Sequence, residues 1–148
     1  MQDRLKNNVR VRACGILIEN GQILLVGHKG MVSESTFWSP PGGGISGGES
    51  AHETVAREMQ EETGIDVHVG ELFLYSEFIQ PPLHALELFF WTKQRGGQLK
   101  LGKDPELPDT QQLLTHVSWK TWEEICLLPS SEKHPILEKI EIYLKQKT

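Results

Sequence analysis

Cysteine is scarce in this chain: Cys14 and Cys126 are the only two, far apart and without C-x-x-C spacing. That points away from a disulfide scaffold or a cysteine-built metal site and predicts two thiols in a reducing cytoplasm. No apolar run approaches membrane-spanning length, and Met1 to Asn8 is polar and charged rather than a secretory signal, so no membrane role is expected. Lysine and arginine form no block and do not interleave with aromatics, and the net charge is −5. A general nucleic-acid surface is therefore not expected. Internal repeats and low-complexity linkers are also missing. The 148 residues suit one domain, 1–148, with a sizeable core, and are too few for two.

The periodicities that remain give a mixed α/β order. Val9 to Ile18 alternates as a strand, and Asn20-Gly21 is a hairpin signal before a second strand, Gln22 to Val26. Gly27 to Gly44, rich in Gly, Ser and Pro, reads as a loop. Val67 to Ile79 and His84 to Thr92 read as strands around Pro81-Pro82. Lys93 to Thr110 reads as a long loop, Leu113 to Trp119 as a strand and Trp122 to Leu127 as a short helix. Ile136 to Lys145 carries apolar residues at helical spacing, a terminal amphipathic helix.

The densest signal lies between these elements. Ser50-Ala51-His52-Glu53 reads as a capping box, and Gly64 supplies the left-handed residue that closes a helix. The helix between them, Ala51 to Thr63, is about 19 Å long at 1.5 Å per residue. Ala51, Val55 and Met59 form its apolar stripe, and Glu62 and Glu58 project about 20° and about 60° from Val55. Glu61 sits one turn after Glu58 and beside Glu62. The carboxylates thus border the face that turns to the core, where mutual repulsion and partial burial both penalise their charge. Arg57, the nearest cation on the helix, is expected to point to a different side. A divalent cation held by oxygen ligands removes the penalty, and Mg²⁺ suits one or two carboxylates plus substrate phosphates.

The spacing over Gly43 to Ile65 is specific: Gly43, five residues, Glu49, seven residues, then Arg57-Glu58-Met59-Gln60-Glu61-Glu62-Thr63-Gly64-Ile65. Each of its seven single-identity positions matches by chance about once in fifteen, a joint chance on the order of one in a hundred million per start site. These 23 residues resemble a complete Nudix box, and a looser resemblance in strand order and in the Trp38-Ser39-Pro40-Pro41-Gly42-Gly43 entry covers most of the chain. The resemblance implies an α/β (α+β) sandwich, a mixed β-sheet between helices, with the box helix over the sheet's open end. It implies a hydrolase that cleaves a nucleoside diphosphate linked to another group, with Mg²⁺ as cofactor and Mn²⁺ as its substitute. Glu58, Glu61 and Glu62 match the family's metal-binding carboxylates, and the Gly42 carbonyl is an added ligand in relatives. Glu58 or Glu61 is also the candidate base for the attacking water. Arg57 and Glu49 match positions that pair and orient the other glutamates. Gly43 and Gly44 match the tight approach to the phosphates.

Outside the box, Arg12, His28 and Lys29 sit where relatives hold phosphates or base. Asp104, in Gly102-Lys103-Asp104, resembles the place of a late glutamate ligand, and Glu106 and Asp109 share its loop. Trp38, Phe78 and Trp91 are candidates to stack on a base or to fill the core. A proline sixteen residues past the box accompanies ADP-ribose-type substrates in the family, and Pro81 holds that spacing. The short chain and the Gly102-Lys103-Asp104 region instead resemble the branch that hydrolyses nucleoside triphosphates and sanitises the nucleotide pool. Two other classes share the fold. A noncatalytic nucleotide-sensing domain would be expected to lose box carboxylates, all present here. An isopentenyl diphosphate isomerase would need a cysteine just before the box helix, where none lies. The expected partner is a small-molecule nucleotide. Small members of the family often dimerise, so the resemblance allows a homodimer, and the residues leave the oligomeric state open.

Overall fold

The computed structural model describes residues 8–29, 35–103, 105 and 112–147. Among these residues seven strands and three α-helices follow the order β1 (Arg10–Glu19), β2 (Gln22–Lys29), β3 (Thr36–Ser39), β4 (Gly42–Gly44), α1 (Ala51–Thr63), β5 (Ile65–Gln80), β6 (Leu83–Gly97), β7 (Leu114–Thr121), α2 (Trp122–Leu127) and α3 (Ile136–Gln146). A 3-10 turn, Ser130–Glu132, precedes α3.

The sheet is mixed. β1 runs parallel to β6 from Arg10 to Leu17, and β6 pairs antiparallel with β5 at the edge. β2 pairs antiparallel with β3 and β7. The two halves meet at a hairpin: Asn20 and Gly21 turn with φ of 52° and 75°, and β1 and β2 pair only through Ile18–Ile23 and Glu19–Gln22. Beyond that point β2 leaves β1, and β4 takes its place beside Arg12, Ala13 and Cys14. At the fork where the strands part, side chains from both halves of the sheet stand close to β4.

Alternation along the strands builds two apolar layers. Ala13, Leu17, Leu24 and Phe90 face Val55 and Met59 of α1. Cys14, Ile16, Ile23, Leu25 and Phe89 face Ile125 of α2 and Ile136, Leu137 and Ile140 of α3. The sheet is therefore covered on both sides, the sandwich expected from the element order.

Several boundaries differ from the sequence reading, most of all in two regions. Gly27 to Gly44 is not one loop: β2 continues to Lys29, and β3 and β4 are strands of four and three residues. Gly-Gly-Gly has no side chains to alternate, so β4 carries no periodic signal and is held by backbone pairing to β1. β6 runs on to Gly97 against Ile65, Asp66 and Val67, so Lys93 to Gly97 is strand. Its exposed edge carries charged residues, which read as loop when the pairing partner is unknown. Asp104, Glu106 and Asp109 lie outside the described residues.

Candidate active site

Helix α1 starts and ends where its caps dictate. Glu53 N–H donates to Ser50 Oγ at 3.0 Å and Ser50 N–H to Glu53 Oε1 at 3.1 Å, a complete capping box. Gly64, at φ 75°, closes the other end and donates to Gln60 O. Two further carbonyls of the last turn are satisfied by the chain after β6, with Lys100 N–H on Thr63 O at 2.8 Å and Gly102 N–H on Glu62 O at 3.0 Å. A Cβ on Gly102 would overlap Glu61 O, so only glycine lets that segment seat against the helix. Val55 and Met59 are fully buried beneath, each contributing about 1.5–3 kcal/mol by burial.

The anchored helix sets its carboxylates on β4. Gly42 N–H donates to Glu62 Oε1 at 2.9 Å, and Glu62 is 8% exposed. A Cβ on the next residue, Gly43, would collide with the Glu58 carboxylate. The glycines expected near phosphates are thus also what lets β4 pass under two acidic side chains. Gly44 O lies 3.5 Å from Arg57 Nη2.

Arg57 corrects one expectation. It does not point away from the carboxylates but stands among them. Its Nε and Nη2 grip Glu49 Oε2 and Oε1 at 2.8 and 2.9 Å, the paired fork expected of these two residues. Nη1 then donates to Glu58 Oε1 at 2.9 Å and Glu61 Oε2 at 3.2 Å. Helical angle gives the direction of Cβ, and a long guanidinium stem can turn back along the axis to the i+4 neighbour. Hydrogen bonds from Arg57, then Thr54, hold the Glu49 carboxyl down at about 2, and those contacts keep Arg57 charged.

Across the fork, β1 and β2 contribute Arg12 and His28. Arg12 Nη1 donates to Glu87 Oε2 at 2.9 Å, and its Nη2 lies 3.5 Å from Gly42 O. Burial pulls the Arg12 pKa down, but electrostatic coupling to Cys14 and the charges of Glu87, Glu62 and Glu58 outweigh it and leave it raised. His28 Nε2 is 4.0 Å from Glu62 Oε2. Burial, then the Arg12 charge, pushes His28 down to about 4, so it faces Glu62 as a neutral ring. Lys29 is exposed at the end of β2, and no contact among the described residues joins it to the carboxylates.

Two residues of this region escaped the sequence reading. Glu87 is 3% exposed in β6 and His134 is 8% exposed before α3, and His134 Nε2 meets Glu87 Oε1 at 2.8 Å. A signal for Glu87 exists: a carboxylate two residues from Ala85 and from Phe89 falls on the inward side of an apolar strand. Above Arg12, Glu87 and His134 opens a cavity of about 140 Å³ walled by Phe37, Phe78 and Pro135. Phe78, 39% exposed, is the aromatic of the three candidates at that cavity. Trp38 is buried in the core, and Trp91 packs on Phe73 and Tyr143.

The residues present fit a hard divalent cation. Glu62 and Glu58 lie against the Gly42 and Gly43 backbone, Glu61 shares Arg57 with Glu58, and all three offer oxygen, the ligand type that Mg²⁺ prefers. Among the described residues no three His, Cys, Asp or Glu side chains converge closely enough to hold a metal ion by themselves.

Comparison with known proteins gives the family. A 35% identical relative is the ADP-ribose pyrophosphatase of Methanocaldococcus jannaschii, aligned over 68% of this chain and 60% of its own length. The 8-oxo-dGTP diphosphatase of Escherichia coli is 33% identical over 58% of this chain and 66% of that protein. The chain spans less than two thirds of these relatives. A NUDIX hydrolase structure from Nitrosomonas europaea superposes with a TM-score of 0.77 at 19% identity, covering 95% of this chain and 91% of that one. A profile of the NUDIX domain matches residues 7–139. The chain belongs to the Nudix family.

Proposed function

We propose that the protein is a Mg²⁺-dependent pyrophosphohydrolase acting on a nucleoside diphosphate linked to another group, of the ADP-ribose kind. The observation that carries this reading is the packing of Glu58 and Glu62 onto Gly43 and Gly42 at the fork between β1 and β2, with Arg12 opposite. A divalent cation would supply charge neutralisation on the diphosphate and lower the pKa of water toward neutral pH. Glu58, Glu61 and Glu62 would hold it, with the Gly42 carbonyl beside them. Arg57 holds Glu58 and Glu61 as oriented acceptors, and one of these takes the proton of the attacking water. Arg12 meets a phosphate oxygen. The cavity between Phe37 and Phe78 is small beside the roughly 300 Å³ of a whole-ligand pocket and takes one flat ring, the base. Products are a nucleoside monophosphate and the other phosphorylated group.

The relative named for ADP-ribose hydrolysis and the position of Pro81 in the β5–β6 turn support this substrate class. A second reading, a triphosphatase releasing pyrophosphate, is supported by the relatives named for 8-oxo-dGTP, one from Bacillus subtilis being 47% identical over 84 residues. Steady-state assays with Mg²⁺ or Mn²⁺ on ADP-ribose, diadenosine polyphosphates, sugar nucleotides and normal and oxidised triphosphates separate the two. ADP-ribose should give the highest kcat/KM, and a preference for triphosphates would replace the first reading by the second. Glu58→Gln and Glu62→Gln should each abolish turnover. Intact Mg²⁺-dependent activity in either variant would falsify the metal role.

A further inference from the structure

We propose that Glu87, backed by His134, is a positioning residue that holds the Arg12 guanidinium at the fork for a substrate phosphate; this rests on the diphosphate reading above. Glu87 is a carboxylate buried in the sheet, a placement that costs stability unless its charge is paired and hydrogen-bonded. Both of its oxygens are engaged, one by Arg12 and one by His134. The direction of the second bond is fixed from behind. Ile136 N–H donates to His134 Nδ1 at 3.0 Å, so the ring carries its hydrogen on Nε2 and donates to Glu87. His134 is itself tied to the sheet, its N–H on Trp38 O at 2.9 Å. A continuous series of bonds therefore runs from the first turn of α3 to the tip of Arg12.

Arg12 needs such a brace because it stands between opposing pulls. Glu58 and Glu62 attract it from the far side of the fork. An arginine drawn onto those carboxylates would compete with the cation for the same oxygens. Glu87 claims Nη1 at hydrogen-bond distance, and Nη2 reaches Gly42 O only at 3.5 Å, too long for a strong bond. The guanidinium has five N–H donors, and its side chain is 29% exposed, so donors remain for an incoming oxyanion. Burial pushes the Glu87 carboxyl up, but the bond from His134 and the charges around it leave it lowered, consistent with an ionised brace.

Titration of Mg·ADP into the full chain, at saturating Mg²⁺, separates positioning from mere folding. Arg12→Ala should weaken binding on the order of tenfold or more, as expected for a lost charge-assisted contact. Glu87→Gln should weaken it by a similar factor while leaving the cooperative thermal unfolding of the chain intact, and it should add nothing in the Arg12→Ala background. His134→Gln, which keeps a donor near the Nε2 position, should retain more affinity than His134→Phe. Should Glu87→Gln fail to fold, Glu87→Asp, which keeps charge but withdraws the acceptor, is read in its place. Wild-type affinity in the Glu87 variant, or a loss that multiplies with that of Arg12→Ala, overturns the brace. Failure of the wild-type chain to bind Mg·ADP overturns instead the diphosphate reading on which the brace depends.

Discussion

At the scale of single residues, Arg57 carries the greatest load. One guanidinium orients Glu49, Glu58 and Glu61, so removing it should release all three carboxylates at once. Arg57→Ala is expected to lower kcat by about 100-fold, the usual penalty for small misplacements of reacting groups. Arg57→Lys should rescue little of it, because a point charge cannot form the fork on Glu49; full activity in the lysine variant would remove the orienting role. The same contacts set an acid limit. Glu49 is held at about 2 in the folded chain, below the ordinary carboxylate value of about 4.5. A depressed folded pKa means stabilisation that is complete above the unfolded value and is lost as pH falls through the folded one. Unfolding midpoints should therefore drop between about pH 4.5 and pH 2, and drop less in Glu49→Gln, which has no such proton to gain. The cysteines behave oppositely to one another. Cys14 is 2% exposed and burial pushes its thiol up to about 12, whereas Cys126 is exposed. A thiol reagent at pH 8 should label one site per native chain and two after denaturation.

Whole elements explain what could be read from the sequence and what could not. Helix α1 was legible to the residue because its limits are local: Ser50 and Glu53 cap each other, and Gly64 ends it. That local character makes it testable. Ser50→Ala should cost about 1 kcal/mol, and Met59→Ala, which empties a fully buried site, about 2–5 kcal/mol. Equal losses in urea titrations would show that cap and core are not the separate contributions described here. Strand β4 was illegible for the opposite reason. Its three glycines hold no pattern, and its existence depends on β1 and α1 already being in place. The brace of Arg12 was illegible in the same way, since Glu87 and His134 lie 47 residues apart and meet only across a folded sheet. Box residues were readable because one helix and one loop bring them together; the remainder of the site is assembled by topology.

For the molecule as a whole, the decisive feature is a sheet whose halves are joined at one hairpin and part beyond it. The fork needs β4 and α1 to fill one side, and it concentrates acidic side chains in a chain that is already negative by five charges. On the proposed function, cation and nucleotide bind a site that exists only in the folded state, and each should stabilise that state by mass action. At one hundred times its Kd, Mg·ADP should add about 2.7 kcal/mol, which corresponds to roughly 5–10 °C in Tm for a chain of this size. Because the carboxylates repel the phosphates unless the cation lies between them, ADP with EDTA should raise Tm far less than Mg·ADP. Glu58→Gln should remove most of the difference between the two conditions. A thermal-shift series showing equal gains with and without divalent ion would mean that the nucleotide does not sit against the α1 carboxylates, whatever else binds it.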